Sequence, residues 1–231
     1  MSYFIFKEVL STDLGLIISS SVIPPTSPEE YEIQPVPGRD VPLWIAKNTR
    51  QTIEIQMQTV ITDPTKLRTI YSALQGRGNL VLSDEPDKYY VGSIQALIPQ
   101  AIALRMGTLP LSFICEPFAY SLSNDMITST EHSTSISVSG TAPCLPIVKI
   151  YGSGYNEITI NDETWKIADI NEYVTIDSPR NLVYKDNAVL LNKVSRYDNK
   201  VYLPMFNVGT NLILTTDNIS KIEVIKNERW L

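Results

Sequence analysis

Only one stretch of this 231-residue chain has the apolar spacing of an amphipathic α-helix. Its apolar side chains recur at i, i+3, i+4 and i+7, on one face of a helix: Leu67, Ile70, Tyr71 and Leu74. Asp63 is a good N-cap, Pro64 fits the first helical position, and Gly76 is a stop signal. A chain with a single helix of about three turns must build its core mainly from β-strands.

The first half of the chain contains the most regular strand pattern. In residues 52–60, isoleucine and methionine alternate with glutamate and glutamine, which is the period of a half-buried strand. The polar face of this predicted strand consists of Glu54, Gln56 and Gln58. A second strand is predicted over residues 109–120.

A proline-rich segment precedes the alternating strand. Residues 22–42 contain six prolines: Pro24, Pro25, Pro28, Pro35, Pro37 and Pro42. Because proline has no backbone N–H to donate, such a segment is unsuited to the middle of a sheet. We expect a long loop that serves as a contact arm.

The second half of the chain contains short apolar segments separated by turn residues. Strands are predicted at 133–139, 147–151, 157–160, 164–168, 173–176, 181–184, 188–191, 211–215 and 222–225. Asn161 and Asp162 form the expected tight turn of a hairpin. The regular spacing predicts a β-sandwich or jelly roll.

A polar segment rich in serine and threonine, residues 121–141, separates the two halves. We place the domain boundary near residue 127, which gives domains 1–127 and 128–231. The net charge of −6 without clustered Lys or Arg argues against specific nucleic-acid binding. No segment approaches the roughly 20 apolar residues of a membrane-spanning helix. The N-terminus lacks a secretory pattern, so we expect synthesis in the cytoplasm and no membrane insertion.

The residues that most often carry catalysis or bind metals are scarce. His132 is the single histidine and lies in a polar linker, and no Gly-x-Ser-x-Gly motif is present. Cys115 and Cys144 lie in apolar surroundings, where they could be buried free thiols or form a disulfide, and their spacing does not decide between the two. One histidine and two separated cysteines do not have zinc-ligand spacing. We expect neither an enzyme nor a cofactor or metal site.

The order of several short motifs resembles that of the distal tail proteins of long-tailed bacteriophages. The first-half motifs are residues 36–40 (Val-Pro-Gly-Arg-Asp), the helix with Tyr71, residues 76–82 and residues 87–90. The second-half motifs are residues 140–143, 150–154, 158–161, 174–177, 192–193, 203–204, 209–211 and 222–224. One departure is local: Val41 and Pro42 follow Asp40 where the family often has a glycine, so this loop is expected to differ in shape.

The resemblance implies a mainly β fold with a ring-forming, tail-tube-like N-terminal domain and a galectin-like C-terminal β-sandwich. It implies a homo-hexameric hub at the distal end of the virion tail. The partners it implies are the tail tube protein, a tail-associated lysin or fibre protein and, as a further contact, the tape-measure protein. About 104 residues follow the boundary at 127, which leaves no room for the inserted carbohydrate-binding module of some members.

Seven residues are candidates for the ring interface, at the tip of the proline-rich segment and on the polar face of the alternating strand: Pro35, Pro37, Arg39, Asp40, Glu54, Gln56 and Gln58. Two other classes of protein remain open. A hydrolase would need a pair of carboxylates in a pocket. A carbohydrate-binding module would need an exposed aromatic platform, for which the candidates are Tyr151, Tyr155, Trp165, Tyr173, Tyr184, Tyr197 and Tyr202.

Overall fold

The computed structural model describes residues 2–95, 107–196 and 203–231. These residues divide into two compact units: the first extends to Leu122 and includes Leu231, and the second is Ser123–Trp230. Within the described ranges the chain has one α-helix, and most other residues are in strands. The predicted mainly β fold with a single helix is confirmed.

The described part of the first unit contains nine strands and the helix. They are β1 (Phe4–Phe6), β2 (Val9–Leu10), β3 (Leu16–Ile18), β4 (Glu29–Gln34), β5 (Leu43–Arg50), β6 (Ile53–Ile61), α1 (Leu67–Leu74), β7 (Arg77–Leu82), β8 (Glu85–Ile94) and β9 (Gly107–Ser121). Seven strands form an antiparallel sheet in the order β2-β1-β7-β8-β9-β6-β3. β4 and β5 form a separate two-stranded sheet.

The seven-stranded sheet is curled around the core of the first unit. Phe113 of β9 lies 5.2 Å from Phe6 and 5.9 Å from Phe4, both on β1, between ring centroids. β7 and β8 separate β1 from β9 in the sheet, so a flat sheet would hold these two strands roughly 14 Å apart at about 4.8 Å per strand. The ring contacts therefore require strong curvature. All three phenylalanines are fully buried.

The predicted helix is confirmed, but its first turn is not α-helical. The Asp63 carboxylate accepts hydrogen bonds from the Thr65 backbone N–H at 3.0 Å and the Thr65 hydroxyl at 2.6 Å, as an N-terminal cap does. The first turn, Pro64–Lys66, is a 3₁₀ turn, and the α-helix begins at Leu67. The α-helix ends at Leu74, Gln75 is already extended, and Gly76 follows with a φ of 84°, in the left-handed region that favours glycine.

The expectation of a long loop over residues 22–42 is wrong in its middle part. β4 lies inside this segment and pairs with β5 in an antiparallel hairpin, which we call the arm (residues 29–50). The six prolines all lie outside β4, on either side of it. Every residue of β4 therefore keeps its backbone N–H, so the proline content does not prevent strand pairing.

Among its described residues, the second unit has nine strands built around one long hairpin, together with a final two-residue strand, β19 (Arg229–Trp230). The nine are β10 (Met126–Ser129), β11 (Ser133–Val138), β12 (Ile147–Ile160), β13 (Glu163–Asp177), β14 (Leu182–Lys185), β15 (Ala188–Val189), β16 (Val194–Arg196), β17 (Gly209–Thr215) and β18 (Ile219–Ile225). β12 and β13 pair along almost their whole length. Each merges two segments that the sequence predicts as separate strands.

The long hairpin takes part in both layers of a β-sandwich. The first half of β12 pairs with β18 and its last three residues pair with β17. Likewise, the first half of β13 pairs with β16 and its end pairs with β14. Side chains from both ends, such as Val148 and Ile158, lie in one buried cluster with Trp165. The predicted sandwich is therefore confirmed, with Asn161 (φ 54°) in its predicted hairpin turn.

The two cysteines are free and buried, each in its own unit. Burial and the nearby Glu116 carboxylate raise the pKa of the Cys115 thiol to about 12. Burial also raises the pKa of Cys144 to about 11. The interpretation as buried thiols is confirmed, and the alternative disulfide is not formed.

We expect neither thiol to react with Ellman's reagent at pH 8 in the native protein. The thiolate is the reactive form, and at that pH both thiols are protonated as well as shielded. Both should react after denaturation in urea, which is the control for reagent and thiol content. Rapid release of the coloured product from native protein would contradict this prediction.

Candidate assembly interface

The arm is exposed along its length on both faces. The register pairs Tyr31 with Ala46 and Ile33 with Trp44, which puts these four side chains on one face. Trp44 is 58% exposed and Ile33 52%, and the Tyr31 and Trp44 rings contact edge to face at 5.8 Å. We call these four residues the apolar face of the arm. The opposite face is mixed and includes Leu43 and Ile45 beside polar residues.

Polar contacts fix the base of the arm. Arg50 donates to the Glu29 carboxylate at 2.6 Å and to the Ser27 carbonyl at 2.9 Å. The buried Ser27 hydroxyl in turn donates to the Gln51 carbonyl at 2.5 Å. These bonds orient the arm where it leaves the unit, while the rest of it depends on the pairing of two strands.

A two-stranded hairpin with large exposed apolar side chains is marginally stable on its own in water. β4 and β5 pair only with each other among the described strands. Contiguous exposed apolar surface of this kind marks sites that another protein surface covers. The arm is therefore the part of the described structure best suited to an intermolecular contact.

The predicted interface residues fall in two places. Pro35, Pro37, Arg39 and Asp40 lie at the tip of the arm and are exposed. The tip is a turn closed by a hydrogen bond from the Arg39 N–H to the Val36 carbonyl, at 3.1 Å. Its role as an interface stays a prediction.

Glu54, Gln56 and Gln58 form the outer face of β6, on the seven-stranded sheet rather than on the arm. Glu54 accepts hydrogen bonds from the Ser112 hydroxyl at 2.5 Å and from the Gln56 side-chain amide at 3.0 Å. These bonds hold the pKa of the Glu54 carboxyl below its ordinary value, so this surface is polar and negatively charged at neutral pH.

Sequence reasoning missed the apolar face of the arm. Tyr31 and Ile33 lie in the segment that the sequence predicts as a loop, and no strand is predicted at Trp44, so none of the three is among the predicted interface residues. A hairpin could have been predicted from the sequence. Residues 29–34 contain no proline, residues 43–46 are apolar, and the Pro-Gly pair between them favours a turn that would pair the two segments.

The proposed aromatic platform of the second unit is not assembled as predicted. Trp165 is buried in the core, whereas Tyr155 is exposed. Tyr151 and Tyr173 contact each other at 5.7 Å, and the Lys149 ammonium lies 4.1 Å from the Tyr173 ring centroid. Tyr197 and Tyr202 lie outside the described residues.

Two further kinds of feature are absent from the described residues. Among them, no group of three or more His, Cys, Asp and Glu side chains has a metal-binding arrangement. No helix in the same ranges is long and apolar enough to cross a membrane. The single histidine, His132, is exposed, with Nδ1 3.4 Å from the Thr215 hydroxyl.

The fold described above, a curled sheet with one helix and the arm in the first unit and a β-sandwich in the second, is similar to that of a solved phage hub protein. The crystal structure of the Dit protein of phage SPP1 matches 100% of this chain and 100% of its own, with a TM-score of 0.78 and 14% sequence identity. That protein is described as a paradigm of the hub adsorption apparatus in phages that infect Gram-positive bacteria. This chain therefore has the Dit fold over its full length, as the sequence resemblance implies.

A more distant likeness is to the baseplate of phage p2 in its activated conformation with Sr. It covers 97% of both chains at 10% identity, with a TM-score of 0.48. Comparisons with protein-family models and with curated protein sequences find no match.

Proposed function

We propose that this protein is a structural hub at the distal end of a phage tail. The fold shared with SPP1 Dit over the full length of both chains supports the class of function. The single observation that carries the mode of action is the arm, whose apolar face is exposed in the isolated chain. A hub must bind copies of itself and other tail proteins, and the arm is suited to the first task.

The proposed assembly is a closed homo-hexameric ring formed by the first unit. In a head-to-tail ring each interface joins two different surfaces, so the arm of one subunit would lie on a different part of its neighbour. The tip residues Pro35, Pro37, Arg39 and Asp40 would extend this contact. The polar outer face of β6 would offer hydrogen-bonding groups and negative charge to the same or another interface.

The proposed partners are the tail tube protein on one side and a tail-associated lysin or fibre protein on the other, with the tape-measure protein as a further contact. The proposed location is the tip of the virion tail. In this role the protein would have no catalytic activity and no specific affinity for DNA, in agreement with the acidic net charge of −6.

The proposal is tested by the size and shape of the purified protein. We expect light scattering coupled to gel filtration to give a mass near six chains, and negative-stain images to show rings. If the free protein is monomeric, the measurement is repeated with tail tube protein as template. Monomers or open filaments under both conditions would refute the closed ring.

The first unit alone should form the ring. β10 begins at Met126 and pairs with β18 of the second unit, so a cut at the predicted boundary of 127 would divide a strand. We therefore expect a fragment of residues 1–122 to be soluble and to form rings by the same two measurements. The matched fragment, 123–231, should be a monomeric β-sandwich. The opposite result, with 1–122 monomeric and 123–231 oligomeric, would reverse this division of roles.

A further inference from the structure

An open cleft lies in the second unit, where the long strand β13 bends. Its volume is about 590 Å³, within the range of roughly 300–1,000 Å³ typical of small-molecule sites. β13 pairs with β16 at residues 165–167 and with β14 at 175–177. The cleft occupies the interval between these two partners, bordered by the β14–β15 turn and by Lys193.

Two lysines fix the walls of the cleft. Lys193 donates to the Asp169 carboxylate at 2.9 Å and to its backbone carbonyl at 3.3 Å. Lys185 donates to the Asn171 carbonyl at 2.8 Å and to the Glu172 carboxylate at 2.8 Å. On the same side, the Tyr173 hydroxyl donates to Asp186 at 2.5 Å. Hydrogen bonds therefore link the polar groups of the cleft to one another and to the backbone of β13.

The backbone at the cleft is unusual. Asp169, Glu172 and Asp186 have positive φ angles of 54°, 66° and 51°. Glycine adopts the left-handed conformation readily, Asn and Asp adopt it occasionally, and other residues adopt it rarely. Asp169 in the β13 bend and Asp186 in the β14–β15 turn both line the cleft, whereas Glu172 shapes the bend without lining it.

The charges of the described lining residues balance. Asp169 and Asp186 contribute two carboxylates, and Lys185 and Lys193 contribute two ammonium groups. The Lys193 hydrogen bond holds the pKa of Asp169 below its ordinary value, so this carboxylate is ionised at neutral pH. A balanced site of this kind offers no net attraction to a polyanion, in contrast to the clustered cations of phosphate sites.

The balanced set of donors and acceptors fits a polyhydroxylated ligand. Carboxylates accept, ammonium groups donate, and the side-chain amides of Asn171 and Asn187 do both. Each hydroxyl of a sugar likewise donates one hydrogen bond and accepts others. Below the polar groups, Ile170, Val174 and Leu190 supply an apolar floor that suits the C–H face of a sugar ring.

We propose that this cleft binds a neutral saccharide of one or two sugar rings. The site belongs to the second unit and lies on the β13 bend, whereas the arm belongs to the first unit. It adds ligand recognition to a protein whose proposed role is structural. It does not depend on ring formation, because the binding test uses the full chain in whatever oligomeric state it adopts.

The test is calorimetric titration of the full chain with maltose, cellobiose and di-N-acetylchitobiose, supported by saturation-transfer NMR. Glucose 6-phosphate and inorganic phosphate are the anionic probes. We expect millimolar binding of at least one neutral disaccharide and weaker binding of both anionic probes. Absence of binding by all three disaccharides, or tighter binding of an anionic probe, would overturn the proposal.

Two neighbouring residues of β15 give a matched pair of variants that locates the site. Ala188 lines the cleft, whereas Val189 is 64% exposed and is not among the lining residues. Ala188→Tyr should fill the cleft and abolish saccharide binding, and Val189→Tyr should leave the affinity within about twofold. Circular dichroism checks that both variants fold. Equal affinity in the two variants would place binding elsewhere and overturn the proposal.

A second pair tests the chemistry. Asp186→Asn keeps the shape of the side chain and removes its charge, and we expect binding about tenfold weaker because hydrogen bonds to charged groups are the stronger ones. Asp162→Asn, in the exposed β12–β13 turn, is the control and should bind as the wild type does. Unchanged affinity of Asp186→Asn would overturn the assignment of this carboxylate as a ligand.

Discussion

Replacing Trp44 by glutamate should convert the proposed rings into monomers without unfolding the chain. Trp44 is 58% exposed on the apolar face of the arm, so its loss removes little from the core of the monomer. Buried tryptophans at interfaces typically contribute about 2 kcal/mol or more each. Because the same contact recurs at every interface of a closed ring, the loss is multiplied around the ring. Gel filtration with light scattering measures the result.

Lys47→Glu is the matched control for this prediction. Lys47 lies on the same strand, β5, and is also exposed, but it is not on the apolar face. The variant adds a glutamate to the arm, and rings should persist. Circular dichroism should show the same strand content for both variants. Intact rings in Trp44→Glu would exclude the apolar face of the arm as the ring contact.

Replacing Phe113 by alanine should strongly destabilise the first unit. Its ring is fully buried and contacts Phe4 and Phe6 across the curled sheet. Removing a buried phenylalanine ring lowers the free energy of unfolding by about 3–5 kcal/mol, a large share of the typical total of roughly 5–15 kcal/mol. Scanning calorimetry should show the transition of the first unit lowered by more than about 10 °C.

The control for Phe113→Ala is the adjacent residue on the other face of β9. Ser112→Ala removes an exposed hydrogen bond to Glu54 and should lower the free energy of unfolding by less than about 1 kcal/mol. The transition of the second unit should not change in either variant, because its core is a separate cluster. Similar losses in Phe113→Ala and Ser112→Ala would show that the ring contacts do not stabilise the curled sheet.

Local sequence patterns correctly predicted the elements whose structure depends only on residues close by in the sequence. The alternation in β6 is reproduced residue by residue, with Ile53, Ile55 and Met57 buried and the polar residues between them exposed. The left-handed backbone of Gly76, two residues after the helix ends at Leu74, and the turn at Asn161 follow from backbone preferences of single residues. These features needed no knowledge of the rest of the chain.

The candidate interface could be predicted only in part. The proline-rich segment was recognised as a contact arm, but its strand, β4, was not, because strand pairing depends on a partner ten or more residues away. The merging of short predicted strands into β12 and β13 has the same cause, since a bend or bulge such as that at Gly154 looks like a break in the local pattern.

By itself, the sequence determined a mainly β chain with one helix, and the order of motifs that resembles phage distal tail proteins. Tertiary structure alone decided which side chains meet. It placed Phe113 against Phe4 and Phe6 by curling the sheet. It exposed the apolar face of the arm and brought Asp169, Asp186, Lys185 and Lys193 around one cleft. Periodicity records the face on which a residue lies, whereas contacts between distant strands depend on pairing and curvature, which no local pattern contains.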